Sequence, residues 1–331
     1  MTPISIIGDG AMGTICAIML AENGCQVRLW SAFPEAAAEL AAGRVNRRFL
    51  PEATLPDGVE VTGEDAEAFG PAELAISAVP AQFMRGVWAR LRERVPAAMP
   101  IVSVAKGIEN ETLLRPTQIL ADVLGGGRPL AALSGPSIAP EIARKLPATV
   151  AAASEDEGLA LRVQELFSRP YFRVYTNPDL VGVELAGATK NVIAIAAGIL
   201  DGLEAGQNAK AALLTRGLAE ITRLGTALGG RAETFAGLAG AGDLVTTCFS
   251  PVGRNRSFGE AIGRGGTMQE ALARTESVVE GVATARSVVE LAERHGVEMP
   301  ITQAVHDVLF GGTSPQEAIA ELMTRPLKAE A

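Results

Sequence analysis

Apolar residues fall into two regimes along this chain, short extended runs first and helical stripes afterwards. Pro3-Ile4-Ser5-Ile6-Ile7, the stretch from Cys25 to Trp30, Leu74 to Val79, Ile101 to Ala105 and Leu130 to Leu133 are brief and read as buried strands. Thr149 to Ala153 and Phe172 to Tyr175 read as further edge strands. Helical patterns lie between them, notably over 82–95 and 111–124. This alternation predicts an α/β fold, a doubly wound parallel sheet with helices on both faces. After Asn177-Pro178 the extended runs stop. From Asp179 the periods are helical, punctuated by Gly229-Gly230, Gly265-Gly266 and Gly311-Gly312. Residues 1–178 are thus expected to form one domain and residues 179–331 an all-helical second one, with 328–331 frayed.

The first helix of the second region carries the most unusual charge. Val181 to Gly198 is almost wholly apolar or small, yet it contains Lys190. Val183, Gly187, Lys190, Ala194 and Ala197 share one stripe at alternating steps of four and three. An ammonium among such small side chains is partly desolvated, which lowers its pKa towards the range useful for proton transfer. Read alone, Lys190 also fits a side chain that snorkels to water from a buried helix.

The first strand runs into Gly8-Asp9-Gly10-Ala11-Met12-Gly13 and then an apolar helix ending near Asn23 and Gly24. Glycines at 8, 10 and 13 between a strand and a helix form the dinucleotide fingerprint of a Rossmann-like domain. Gly8 makes the tight turn, Gly10 lets a pyrophosphate approach the backbone, and Gly13 lets the helix pack on the strand. The residue that reads the ribose is missing. Trp30-Ser31-Ala32-Phe33 ends the second strand with neither an acid for a 2′-hydroxyl nor an arginine for a 2′-phosphate. NAD and NADP both stay open, and Arg44, Arg47 and Arg48 read equally as ribose contacts or as solvated charges.

Three segments offer polar groups in glycine-rich or strand-end settings. Lys106 and Ser134-Gly135-Pro136-Ser137 follow strands at the carboxyl edge, where such sheets bind ligands. Asp243 follows Ala239-Gly240-Ala241-Gly242, and Gly253-Arg254-Asn255 opens another predicted helix. A helix N-terminus with a guanidinium and an amide suits a phosphate dianion. Taken singly, Lys106 reads as a loop lysine, Ser134 to Ser137 as a plain turn, Asp243 as a helix N-cap and the arginines as surface charge. Together they suggest hydride transfer on a small phosphorylated alcohol or ketone.

Composition narrows the classes. The chain has 331 residues, 48% hydrophobic and 20% charged, enough for two cores. Its net charge of −9 favours neither nucleic acid nor an anionic membrane as partner. No stretch is expected to span a bilayer, and the first strand starts too close to Met1 for a signal peptide. Cys16, Cys25 and Cys248 are odd in number and scattered, which points to a reduced, cytoplasmic setting. His295 and His306 lie far apart, and no metal site is expected.

Several ordered segments resemble the soluble, bacterial-type NAD(P)-dependent glycerol-3-phosphate dehydrogenases across nearly the whole chain. They are Asn46-Arg47-Arg48-Phe49-Leu50-Pro51, Ala105-Lys106-Gly107, Ser134 to Glu141, Gly187 to Ala194 around Lys190-Asn191, Thr215 to Glu220, Gly242-Asp243-Leu244, Arg254-Asn255-Arg256 and Val278-Val279-Glu280-Gly281. The resemblance implies that Lys190 is the acid/base in reduction of dihydroxyacetone phosphate to sn-glycerol 3-phosphate, feeding phospholipid synthesis. It further implies that Lys106 touches substrate and cofactor and that Asp243 binds substrate and tunes Lys190. By the same resemblance, Gly253, Arg254 and Asn255 hold the phosphate, and Gly135 and Ser137 line the pocket, with Asn191 and Thr247 in the same network. Cofactor contacts would come from Gly8, Gly10, Ala11, Met12, Gly13, Ala32, Phe33, Lys106, Ala139, Arg254, Val278 and Glu280. Bacterial relatives commonly place serine where this chain has Gly253, so backbone would replace that hydroxyl. Met12 stands where an aromatic is common.

A ketopantoate or 3-hydroxyacid reductase of similar architecture is the alternative enzyme. Those usually separate the lysine from its asparagine by several residues, whereas Lys190 and Asn191 are adjacent. A non-catalytic nucleotide sensor would need no desolvated lysine aligned with an aspartate and a phosphate cradle. Helices rich in small residues suggest a homodimer.

Overall fold

In the computed structural model, residues 1–275, 277–327 and 329 are described, so most of the terminal segment expected to fray lies outside them. The strands are β1 (Pro3–Ile7), β2 (Gln26–Trp30), β3 (Val45–Asn46), β4 (Leu50–Thr54), β5 (Val59–Thr62), β6 (Leu74–Ser77), β7 (Ile101–Ser103), β8 (Leu130–Ser134), β9 (Ala148–Ser154) and β10 (Phe172–Asn177). The helices that flank them are α1 (Ala11–Glu22), α2 (Pro34–Gly43), α3 (Ala81–Leu91), α4 (Pro116–Leu124), α5 (Ala139–Ala143) and α6 (Glu157–Phe167).

Eight strands form one sheet in the order β10-β9-β8-β7-β6-β1-β2-β5. Ile4, Ile6, Val27, Leu29, Ile76 and Val102 are buried within it, as their apolar runs predict. The expected parallel sheet is mixed. β9 runs antiparallel to β8, and β10 parallel to β9. A parallel return needs a full crossover; the chain from Gly135 to Pro147 holds only the one-turn α5 and comes back beside β8 in the opposite sense.

Two other departures have local causes. The helix expected over 111–124 starts at Pro116, because Glu111 and Leu113 adopt left-handed φ of 69° and 59°. The β3–β4 pair and β5 carry charged or half-exposed residues, so no apolar run announces them.

The second half is helical: α7 (Leu180–Gly202), α8 (Gly206–Ala227), α9 (Ala232–Ala236), α10 (Asp243–Phe249), α11 (Arg254–Gly263), α12 (Met268–Ala273), α13 (Glu280–Arg294), α14 (Pro300–His306) and α15 (Pro315–Met323). Helix α7 corrects one expectation. It is long and apolar enough to cross a bilayer, but its most apolar window is buried entirely inside the protein. It is the central pillar of the helical core, whose buried side chains include Val183, Val192, Ile193, Ile195, Leu224, Phe235 and Val288.

Glycines let α11 lie directly on this pillar. A methyl group on Gly198 or Gly202 would run into the carbonyls of Arg256 and Glu260, and one on Gly259 or Gly263 into those of Ile195 and Ile199. The two backbones are therefore in contact, and α11 begins beside the middle of α7, where Asn255 meets Asn191 next to Lys190. Gly198→Ala should destabilise the fold by about 1–3 kcal/mol or more, since neither backbone can retreat without disturbing the core. Gly86→Ala, at an exposed position of α3 with nothing near the added methyl, should instead stabilise by about 0.5–1 kcal/mol. Urea unfolding of both variants checks the contrast; equal shifts would show that helix propensity alone governs Gly198.

Candidate active site

Four backbone features bring distant segments together at the carboxyl edge of the sheet. Lys106 follows β7, and Gly135 follows β8 with φ 138°. Helix α7 crosses just above them because Gly187 has no side chain; a methyl there would sit 2.6 Å from Ser134 Oγ and 3.6 Å from Lys106 Cγ. A π-helical turn over Leu238–Gly242 then delivers Asp243 at the start of α10. Gly253 caps α11, so Arg254 and Asn255 occupy its first turn.

Asp243 is not the helix cap that its position suggested, because Gly242 holds that place. Its carboxylate is shared by two ammonium groups. Lys190 Nζ donates to Oδ1 at 2.9 Å, and Lys106 Nζ donates to Oδ2 at 2.8 Å. Lys190 also bonds Thr247 Oγ1, while Lys106 reaches the Gly135 carbonyl at 2.9 Å and Ser137 Oγ at 3.1 Å. The Asp243 side chain is 3% exposed, Lys190 7% and Lys106 15%.

Burial sets the direction of each titration. Desolvation holds the Lys190 ammonium below the ordinary lysine range, Lys106 adds to the lowering, and Asp243 opposes it. Burial alone would raise Asp243, but Lys106 and Lys190 hold its carboxyl below the usual range. Cys248, close by, is pushed up to about 12 by desolvation and is an inert neutral thiol.

A chain of amides fixes the surrounding backbone. The Gly281 N–H donates to Asn255 Oδ1 at 3.0 Å, Asn255 Nδ2 to Asn191 Oδ1 at 2.9 Å, and Asn191 Nδ2 to the Lys106 carbonyl at 2.9 Å. This chain locks α13, α11, α7 and the Lys106 loop in one register. Gly281 is the member that sequence reading missed, since a backbone donor has no side-chain signal. Arg254 Nη1 donates to the Val278 carbonyl at 3.0 Å. Glu280 opens α13; burial pushes its carboxyl up against the pull of Arg254 and then of Lys106 and Lys190.

The glycine turn is shaped for a diphosphate. Gly8 has φ 109°, and its N–H donates to the Trp30 carbonyl at 2.9 Å. A methyl on Gly13 would strike the Gly8 carbonyl, whereas one on Gly10 would meet nothing within 4 Å. Gly8 and Gly13 are thus closed by packing, and Gly10 faces open space at the N-terminus of α1, where the first N–H groups lack helical acceptors. The residues fit a dinucleotide. Ala11 and Met12 open α1; Ala32 and the exposed Phe33 follow β2; Ala139 opens α5. Arg44 is removed from the candidate ribose contacts, because its guanidinium binds the Val59 and Pro56 carbonyls. Arg48 lies over the Phe49 ring at 4.9 Å. Among the described residues, no group of three or more His, Cys, Asp or Glu side chains could hold a metal ion.

Family models described as the N-terminus and C-terminus of NAD-dependent glycerol-3-phosphate dehydrogenase match residues 3–160 and 179–320. The chain belongs to this dehydrogenase family. A glycerol-3-phosphate dehydrogenase [NAD(P)+] of Koribacter versatilis is 49% identical, with 100% of this chain and 99% of that protein covered. The crystal structure of glycerol-3-phosphate dehydrogenase from Coxiella burnetii superposes with TM-score 0.94 at 40% identity, covering 98% of this chain and 99% of that one. A ketopantoate reductase of Ralstonia eutropha shares the fold alone, at TM-score 0.61 and 15% identity over 96% of this chain and 100% of its own.

The charges of this candidate site can be tested directly. Asp243→Asn leaves two ammonium groups facing each other, so Lys190 should titrate still lower, and stability should fall by about 3–5 kcal/mol at neutral pH. NMR titration of methylated lysines reads the first effect and urea unfolding the second. An unmoved Lys190 would mean that burial alone sets its pKa.

Proposed function

We propose that this protein catalyses reversible reduction of dihydroxyacetone phosphate to sn-glycerol 3-phosphate with NADH or NADPH, supplying the glycerol backbone of phospholipids. The observation that carries the reading is Lys190, buried on Asp243 and Thr247 beside the α11 N-terminus and the Lys106 loop. A nicotinamide cofactor held at the glycine turn would supply the hydride to C2. Lys190 donates its proton to the C2 oxygen as negative charge develops there, and the Asp243 carboxylate keeps the ammonium protonated and aimed. Thr247 restrains its rotation.

Arg254 and the N-terminus of α11, capped by Gly253, offer the phosphate its cation and backbone donors. The Asn255 side chain is engaged with Asn191 and Gly281, so its share is the remaining amide hydrogen and the backbone. Lys106, Gly135 and Ser137 line the same pocket, and Lys106 also meets the cofactor. Gly8, Gly10, Ala11, Met12 and Gly13 hold the pyrophosphate, with Ala32, Phe33, Ala139, Arg254, Val278 and Glu280 along the remaining cofactor. Residues 1–178 act as the cofactor domain and 179–331 as the substrate domain.

A cytoplasmic setting agrees with three cysteines that are all free and buried. The small-residue faces that suggested a homodimer lie between α7 and α11 of one chain, so they no longer argue for one. Against the ketopantoate reading stand the adjacency of Lys190 and Asn191 and the Arg254 element, which that monocarboxylate would leave without a phosphate dianion.

NADH and NADPH oxidation should proceed with dihydroxyacetone phosphate and fail with ketopantoate; the reverse would overturn the assignment. Lys190→Ala should lower turnover about a hundredfold to ten-thousandfold with cofactor binding nearly intact. Retention of more than roughly a tenth of wild-type activity would remove Lys190 from the chemistry.

Arg254→Ala should weaken dihydroxyacetone phosphate about tenfold to a hundredfold in kcat/KM, and unphosphorylated dihydroxyacetone far less. Equal losses for the two substrates would assign Arg254 to holding Val278.

A further inference from the structure

The second strand ends without either residue that normally reads the adenosine ribose, yet the fold brings both to that spot from elsewhere. Arg90, near the end of α3, donates from Nη1 to the Ala32 carbonyl at 3.2 Å and lies 5.2 Å over the Trp30 ring. Its Nε donates to Asp65 Oδ2 at 2.7 Å. Asp65 reaches this position because β5 pairs beside β2, so the turn after β5 lies next to the residues after β2. Arg90 Nη2 has no hydrogen-bond partner among the described residues, and the side chain is 41% exposed. Asp65 Oδ1 is buried without a partner.

We propose that Arg90 is the residue that admits the 2′-phosphate of NADP, and that Asp65 holds it in place and limits its pull. The inference rests on the dinucleotide reading of the glycine turn. A guanidinium fixed at the Ala32 carbonyl stands where a cation after the second strand would meet a 2′-phosphate. Its surroundings are acidic, with Glu64, Asp65 and Glu67 along the same turn and Glu60 on β5. Glu60 is paired to Arg28, and Glu67 accepts from Thr62 Oγ1, which leaves Arg90 as the cation bonded to Asp65. With Arg90 present, a 2′-phosphate finds a donor on Nη2. Without it, the acidic turn repels that phosphate and leaves a 2′-hydroxyl unaffected. The pair thus gives tolerance of both cofactors rather than exclusive use of one. Arg48, the other candidate cation, lies instead over Phe49 and bears on Asp9 in the glycine turn.

Calorimetric titration with adenosine 2′,5′-bisphosphate and with 5′-AMP separates this role from catalysis. Arg90→Gln should weaken the bisphosphate about tenfold to thirtyfold and leave 5′-AMP within about twofold. Asp65→Asn should tighten the bisphosphate severalfold with 5′-AMP unchanged. Dihydroxyacetone phosphate reduction with NADH should stay near wild type in Arg90→Gln, while the rate with saturation-limited NADPH falls in step with binding. Equal weakening of both nucleotides by Arg90→Gln would show that Arg90 only packs Trp30 and would overturn the proposal. So would an unchanged bisphosphate affinity, or a selective loss in Arg48→Gln instead. If the wild-type protein bound neither nucleotide, the dinucleotide reading itself would fall, and the proposal with it. Thermal unfolding of each variant confirms that the compared proteins are folded.

Discussion

The carboxylate of Asp243, buried between the ammonium groups of Lys106 and Lys190, joins three segments that are far apart in sequence. Lys106 comes from the sheet edge, Lys190 from the helical pillar and Asp243 from a short helix reached through a π-helical turn. Burial works against the charge on Lys190, and the Asp243 carboxylate opposes that effect. The carboxylate in turn stays ionised because two cations outweigh its burial. The three charges therefore meet only when sheet and helical region are docked.

The same device recurs away from the site. Glu184 on α7 accepts from the Thr117 N–H at 2.8 Å and its hydroxyl at 2.6 Å, and pairs with Arg115, so a buried acid of the pillar caps α4. Asp179 caps α7 and accepts from the Arg231 N–H and Thr234 Oγ1, both at 2.7 Å. Glu220 on α8 accepts from the Ile301 N–H at 2.7 Å at the start of α14. Burial pushes Glu220 up to about 7, with the hydrogen bonds pulling the other way. Acids placed against unsatisfied helix N–H groups thus connect elements that apolar packing alone would leave free to slide.

How much of this was legible depended on where the information sits. The strands of the sheet, the glycine turn and the lysine of α7 each leave a local mark: an apolar run, a spacing or a charge in the wrong company. The reversal of β9 leaves none, because it depends on the length and path of the connection from β8. β5 was missed for want of an apolar run, and with it the position of Asp65. Arg90 has no sequence signal of its own; only its approach to the Ala32 carbonyl distinguishes it. The candidate proton-transfer group was visible as a single residue, but its partnership with Lys106 through one carboxylate was not. Pairing across more than a hundred residues is a property of packing, and linear periodicity carries no trace of it.

The charge balance of the pocket also bears on how the proposed reaction would start. Lys106, Lys190 and Arg254 face Asp243 and Glu280, so these groups leave an excess of positive charge where a phosphate dianion would enter. That entry acts on Lys190 in one direction. Before it, burial and the neighbouring Lys106 both favour loss of the Lys190 proton. A dianion nearby lowers the potential at Nζ and favours keeping it. The ammonium is then charged when a ketone oxygen needs a proton, and its deprotonated form is not costly once that proton has gone. In the opposite direction the alcohol carries the same phosphate, and burial is what favours the neutral amine that must accept its proton. Burial, which favours the neutral amine, and Asp243, which favours the ammonium, thus each serve one direction of a reversible hydride transfer. A fully solvated lysine would be too weak an acid for the first step, and its neutral form too scarce for the second.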